Sequence, residues 1–432
     1  MNTFFKLTAL ATLLMGFVSN AIAHQKVIYV GTLLAVPGEP TKTEQTIVVD
    51  HGKIIAVRNG YVDVSEFGED ASTIDLKNSF VMPGLMDMHV HLQFELGPTN
   101  DSDNLKMSTQ QIQMRSVMYA MKTLEAGFTT VRELGSSSQE MYALRDGINN
   151  GWVNGPRIIA AGGVGITGGH GDTSGVSAQI MEQSLGRNIC DGPYDCRRAT
   201  RDAIKYGADW IKITSTGGVL TDRATGTGQQ MEADELSEVV LAAERMGRKV
   251  ASHAHHESGI IAALKAGVAS IEHGSYTGPE AIKLFKKTGA YLVPTLLAGD
   301  TVKNMAENSN FMSDAIKVKA IRVGGDMMEN FIKAAKAGVK IAYGTDSGVS
   351  IHGTNAVEAV LMVKAGMSEM DVIKAATVNA ADLLDMSDTI GTIEVGKMAD
   401  IIATNNNALE NIEELLDVDF VMKGGKIFKN KD

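Results

Sequence analysis

The sequence predicts an α/β fold, a (β/α)8 TIM barrel with a small flanking β-sandwich domain built from both chain ends. Three observations carry this expectation. Six helix-like stretches each end in a glycine followed by a short apolar run. Eight apolar runs, mostly without polar alternation, fall between residues 84 and 385. The chain on either side reads as short strands broken by turn residues. Glycine just past a helix takes the left-handed conformation that ends it, and an unbroken apolar run suits a strand buried on both faces of a parallel sheet.

Residues 1–23 read as a signal peptide outside the fold. Lys6 supplies a basic start, Leu7 to Val18 an apolar stretch too short to span a bilayer, and Ala21-Ile22-Ala23 a small-residue cleavage site. The expectation is a periplasmic or secreted protein without a membrane anchor. Residues 24–83 contain three strand-like runs, Val27–Val30, Thr46–Val49 and Lys53–Val57. Residues 386–432 return to that style at Asp400–Ala403 and Phe420–Ile427, so both ends are expected to pair into one β domain.

Between them, residues 84–385 repeat one grammar, with junction glycines at Gly127, Gly207, Gly247, Gly267, Gly289 and Gly338. The eight strand-like runs end near His91, Arg132, Ala161, Lys212, His255, His273, Thr295 and Asp346. The span from His89 to Asp346 is close to the roughly 250 residues of a (β/α)8 barrel, which gathers the C-terminal ends of all its strands around one mouth. An open doubly wound sheet would not bring strands one, four, five, six and eight to one point.

Composition narrows the partners. The chain has 432 residues, 44% of them hydrophobic, enough for a large core. Its net charge of −11 and lack of a basic run argue against nucleic acid and anionic membrane as main partners, and the acidity itself reads as solubility. Homo-oligomer formation stays open. The two cysteines, Cys190 and Cys196, are close enough for a small-loop disulfide in an oxidising compartment.

The chemistry begins at His89-Val90-His91. On a strand, residues i and i+2 share a face, so both imidazoles project together as half of a transition-metal site. His253, His273 and Asp346 end their own runs and supply further donors. Lys212, inside Trp210-Ile211-Lys212-Ile213-Thr214, is the odd member, because an ammonium cannot ligate a cation. It fits if burial lowers its pKa and carbon dioxide carboxylates the amine, giving an anionic bridging ligand. His24, His51 and His256 stand outside this pattern.

These residues resemble the amidohydrolase superfamily, in its branch of Xaa-Pro dipeptidase-like and basic-residue carboxypeptidase-like enzymes. The resemblance is carried by Pro83-Gly84-Leu85-Met86-Asp87-Met88-His89-Val90-His91, Thr167-Gly168-Gly169-His170-Gly171-Asp172, Ile211-Lys212, His253-Ala254-His255, Ile271-Glu272-His273-Gly274 and Gly344-Thr345-Asp346. It implies zinc-dependent hydrolysis of an amide bond in a dipeptide or N-acyl amino acid by a metal-bridging hydroxide. Two Zn2+ ions are implied, His89 and His91 on one and His253 and His273 on the other. Carboxylated Lys212 would bridge them, and Asp346 would bind the first ion and move the proton. Periodicity leaves His253 and His255 interchangeable as ligands; the family's pattern favours His253 and leaves His255 to contact substrate. His170 and His255 are candidate contacts to the substrate carbonyl or carboxylate, and His352 could do likewise. Arg223, after strand four, either pairs with a free carboxylate or is a solvated loop charge.

Two other functions compete. An imidazolonepropionase-like cyclic amide hydrolase shares the paired histidines but typically uses one metal and no bridging lysine; Lys212 and the leader argue against it. A periplasmic metal- or solute-binding protein needs ligands but no proton shuttle, which leaves Asp346 unexplained.

Overall fold

The computed structural model describes residues 25–135, 138–172, 188–221 and 226–431. The expected leader and Arg223 lie outside the described residues. In chain order the strands are β1 (Lys26–Leu33), β2 (Lys42–Asp50), β3 (Lys53–Asn59), β4 (Ser72–Pro83), β5 (Leu85–Val90), β6 (Phe128–Glu133), β7 (Arg157–Ile166), β8 (Ile189–Cys190), β9 (Trp210–Thr214), β10 (Val250–Ala254), β11 (Ser270–His273), β12 (Tyr291–Val293), β13 (Lys340–Ile341), β14 (Ile401–Thr404), β15 (Phe420–Lys423) and β16 (Lys426–Asn430).

The eight runs read from sequence form one parallel sheet in chain order, β5-β6-β7-β9-β10-β11-β12-β13, with β8 pairing the end of β7. All six junction glycines take positive φ, and Gly267 (φ 98°) caps its helix in the left-handed region. The sheet curls so that its two edges meet. Met88 N donates to Tyr343 O at 2.8 Å, Asp346 N to His89 O at 2.7 Å and His91 N to Ser347 O at 2.7 Å. No regular ladder joins β13 to β5, because β13 is only two residues long and the chain beyond it turns inward at Asp346 (φ 59°). The fold is α/β with a curled parallel sheet of the barrel type, without the continuous closing ladder expected from sequence.

Both chain ends build the second sheet, as expected: seven strands in the order β16-β15-β14-β4-β1-β2-β3, curled so that the β2–β3 turn at Gly52 meets the β15–β16 turn at Gly424 and Gly425. The strand β4 joins the two chain ends, pairing parallel with β1 along one edge and antiparallel with β14 along the other. A core of Ile28, Val30, Ile47, Ile54, Ile401, Phe420 and Met422 covers this sheet.

Alternation along the barrel strands sets the site. In β9, Ile211 and Ile213 face the helical layer, while Trp210, Lys212 and Thr214 share the opposite face. Trp210 packs low in the barrel with Met88, Ala161 and Ala251, which leaves Lys212 one layer nearer the mouth. Cys190 and Cys196 form a disulfide, tying β8 to the helix Gly192–Lys205. Among the described residues no helix is long and apolar enough to cross a membrane.

Candidate active site

His89 and His91 converge, as their spacing predicts, on Asp346. Its Oδ1 lies 2.8 Å from His91 Nε2 and 3.5 Å from His89 Nε2. The ligand-type atoms of these three residues all lie within 4.8 Å of one another. Lys212 Nζ is 3.4 Å from His89 Nε2, so the lysine joins the cluster. His253 and His273 lie alongside, with ring centroids 4.6 Å apart, and His273 is 5.2 Å from His89.

Each ring is held by its far side. His89 Nδ1 is 3.0 Å from Glu272 Oε2, and Glu272 is paired on its other oxygen with Arg132 at 2.9 Å. Neither Glu272 nor Arg132 is exposed at all. His273 Nδ1 is 2.7 Å from Thr295 Oγ1, and His255 Nδ1 is 2.8 Å from Ser275 Oγ. Partners of this kind fix a ring's orientation and tautomer and leave Nε2 to face a ligand. Backbone strain concentrates here too: His273, Thr295 and Asp346, at the ends of strands six, seven and eight, have φ of 69°, 49° and 59°. For a β-branched residue such as Thr295 this is a costly conformation, held only by its surroundings.

Electrostatics favour the metal-ligating protonation states. Burial, and next the Lys212 charge, keeps His89 neutral well below the usual histidine range; burial does the same for His253, reinforced by His170, and for His273, reinforced by His255. Burial opposes ionisation of Asp346, but the facing His89 and His91 outweigh it and hold the carboxyl below its ordinary value. Burial also lowers the Lys212 ammonium, against the pull of Glu272 and Asp346. Neutral imidazoles and an ionised carboxylate are the forms that bind a divalent metal.

The residues fit such an ion. Asp346 Oδ1 is buried without a hydrogen-bond partner between two imidazole nitrogens, an arrangement that a shared cation would satisfy. Two imidazoles and a carboxylate are a borderline-soft donor set that suits zinc-class metals.

The cluster floors a cavity of about 840 Å³. His170 and His255 also line it; His170 sits 4.4 Å from His253, ring to ring, with Nδ1 2.6 Å from Thr221 Oγ1. Burial, then the neighbouring Lys212, lowers His170 to about 4; burial, then His170, lowers His255 to about 3. Val219, Leu220, Ala298, Val302, Val323 and Met327 form an apolar wall.

His352 departs from expectation. It is absent from the cavity lining; its Nε2 lies 3.0 Å from Phe94 O and its ring stacks on Tyr119 at 4.5 Å. It therefore braces the loop after β5, whose Phe94 stacks on His91 at 5.5 Å. Sequence reading missed Asp87, Glu272 and Thr295. Asp87 and Glu272 stand beside the ligand motifs, yet nothing in their spacing marks them as partners of remote strands.

Comparison with known proteins agrees with this geometry. The model of the amidohydrolase family matches residues 80–428. The chain is 31% identical to ochratoxinase of Aspergillus niger over 427 residues, covering 94% of this chain and 87% of that protein. It superposes on the crystal structure of a Xaa-Pro dipeptidase with bound methionine in the active site with a TM-score of 0.90 and 40% identity, covering 94% of this chain and all of the other. A prolidase complexed with N-methylphosphonate-L-proline gives a TM-score of 0.85 at 29% identity, again over 94% and 100%. The reading as a non-catalytic binding protein is set aside: the chain belongs to the amidohydrolase family and is a metal-dependent hydrolase of C–N bonds.

Proposed function

We propose that the protein hydrolyses the amide bond of a dipeptide or N-acyl amino acid with two zinc ions. The observation that carries this is the unpartnered Asp346 oxygen at the junction of His89 and His91, with Lys212 against the same ring. His89, His91 and Asp346 would hold one ion, His253 and His273 the other, with carboxylated Lys212 between them. Lys212 supports this because its amine sits among ligand nitrogens, where a permanent ammonium would repel the cations. Bound divalent ions supply an acidified water and a polarised scissile carbonyl.

The chain's own residues do the rest. Asp346 accepts the proton of the attacking water and returns it to the leaving amine, a general base followed by a general acid. His170 and His255, neutral and lining the cavity, accept the Thr221 and Ser275 hydroxyls at Nδ1 and donate through Nε2–H to the substrate's carbonyl or carboxylate oxygen. The apolar wall favours a substrate whose side chain is aliphatic or aromatic. We take the catalytic unit to be a (β/α)8 barrel over residues 84–385, flanked by 24–83 and 386–432. Residues 1–23 would direct export to the periplasm or beyond, and the Cys190–Cys196 disulfide supports an oxidising compartment.

A panel of dipeptides and N-acyl amino acids, assayed with and without chelator, tests the reading. Turnover of amides with apolar residues, abolished by chelator and restored by zinc, is expected. Turnover confined to cyclic amides, or unaffected by metal removal, would refute it.

A further inference from the structure

Glu358 is a fully buried carboxyl side chain that the mechanism above does not use. It stands in the first turn of the helix Val357–Lys364, after strand eight, yet its partners belong to strand seven's loop. One oxygen accepts Leu296 N at 2.9 Å and the other accepts Leu297 N at 2.6 Å. These are the first two residues of the helix Leu296–Asn308, whose own N-cap, Thr295, makes no capping bond with its side chain. A carboxyl group from another helix thus satisfies two of the amides that a helix start leaves without an intrahelical partner.

That substitution frees Thr295. Its backbone is left-handed (φ 49°, ψ 46°), and its hydroxyl meets His273 Nδ1 at 2.7 Å instead of turning back onto the helix. With Nδ1 donating to this hydroxyl, His273 presents Nε2 to the cavity. We propose that Glu358 is a positioning residue for His273, acting through the Leu296 and Leu297 amides to hold Thr295 in the strained turn that orients the imidazole. The same helix entrance reaches the other half of the cluster, since Asn355 Nδ2 bonds Asp87 at 2.8 Å.

The inference rests on His273 as a metal ligand, so three sets of variants separate the two claims. Purified protein is stripped and titrated with zinc against a chromophoric chelator, with kcat and KM measured alongside. His273→Ala is expected to lose one zinc equivalent; if it binds two as tightly as wild type, the ligand assignment fails. Thr295→Val should weaken that equivalent by about 10–100-fold, the usual cost of losing a ligand's outer partner, while Thr295→Ser stays within a few-fold of wild type. Glu358→Gln should weaken the same equivalent and lower kcat more than it raises KM. Its effect should vanish in a Thr295→Val background, which a general loss of stability would not do. Glu358→Asp, with the carboxyl one methylene short, is the milder second variant should the glutamine form fail to fold. A loss of the zinc equivalent in His273→Ala, with wild-type zinc binding in folded Glu358 and Thr295→Val variants, would overturn the proposal.

Discussion

Asp87 and Thr345, 258 positions apart, are joined by two hydrogen bonds: Thr345 N to Asp87 Oδ1 at 3.0 Å and Thr345 Oγ1 to Oδ2 at 2.6 Å. The same buried carboxylate accepts His89 N at 3.1 Å and Asn355 Nδ2 at 2.8 Å. It therefore pins the His89 strand to the segment carrying Asp346 where no ladder does so. Asp87→Asn replaces an acceptor with a donor and leaves at least one buried N–H or O–H facing it. A stability loss of about 1–3 kcal/mol is expected, with weaker metal binding at the His89–Asp346 side. Unchanged melting and zinc affinity would show that the edges of the sheet are held by other contacts.

Lys212→Ala removes the amine lying 3.4 Å from His89 Nε2. Activity should largely disappear and zinc content fall, and a short carboxylic acid added to the assay should restore part of the turnover by occupying the vacated space. Retention of wild-type zinc and rate would make the lysine a bystander.

Asp346→Asn keeps the size and one oxygen but cannot accept and return a proton at neutral pH. A fall in kcat of about 10²–10⁴-fold is expected, with much smaller changes in KM and metal content. Near-normal kcat with both metals present would assign the proton transfer to another residue.

Acid should destabilise the protein through its buried neutral histidines. Burial, offset in part by the Phe94 carbonyl, lowers His352 to about 4, and His170 and His255 are lowered to about 4 and about 3. All three have an ordinary value of 6.5, so between that pH and about 4 the unfolded chain binds protons that the folded protein refuses. Their contribution is present above pH 6.5 and is lost as pH falls through the folded values. His352→Gln removes one such group away from the metal cluster. Its melting temperature should fall less steeply than wild type from pH 6.5 to 4 at matched zinc content; parallel curves would count against a neutral His352.

Much of this architecture was legible because it is written locally. The six glycines, the apolar runs and the paired imidazoles each act within a few residues, and the structure places them as read, save that the run toward Asp346 is a strand only over Lys340–Ile341. What escaped depends on how loops and strands meet far along the chain. His352 follows strand eight as a substrate contact would, but its loop folds back on Phe94 and Tyr119. Nothing local tells that β4 serves both β1 and β14. Glu272, Thr295 and Glu358 were missed for the same reason: each is an ordinary residue made consequential by a partner on another strand or helix.

The joining of both chain ends into one sheet also orders events in time. During synthesis β4 emerges early, but the strand that covers its outer edge, β14, arrives only after the whole parallel sheet has been made. Until then the short apolar edge Phe80, Val81 and Met82 stays unpaired, a template for association with other chains. The last strands made thus act as the clasp of the molecule. A chain cut short before Ile401 would keep every candidate metal ligand and still lack the strand that closes β4's edge.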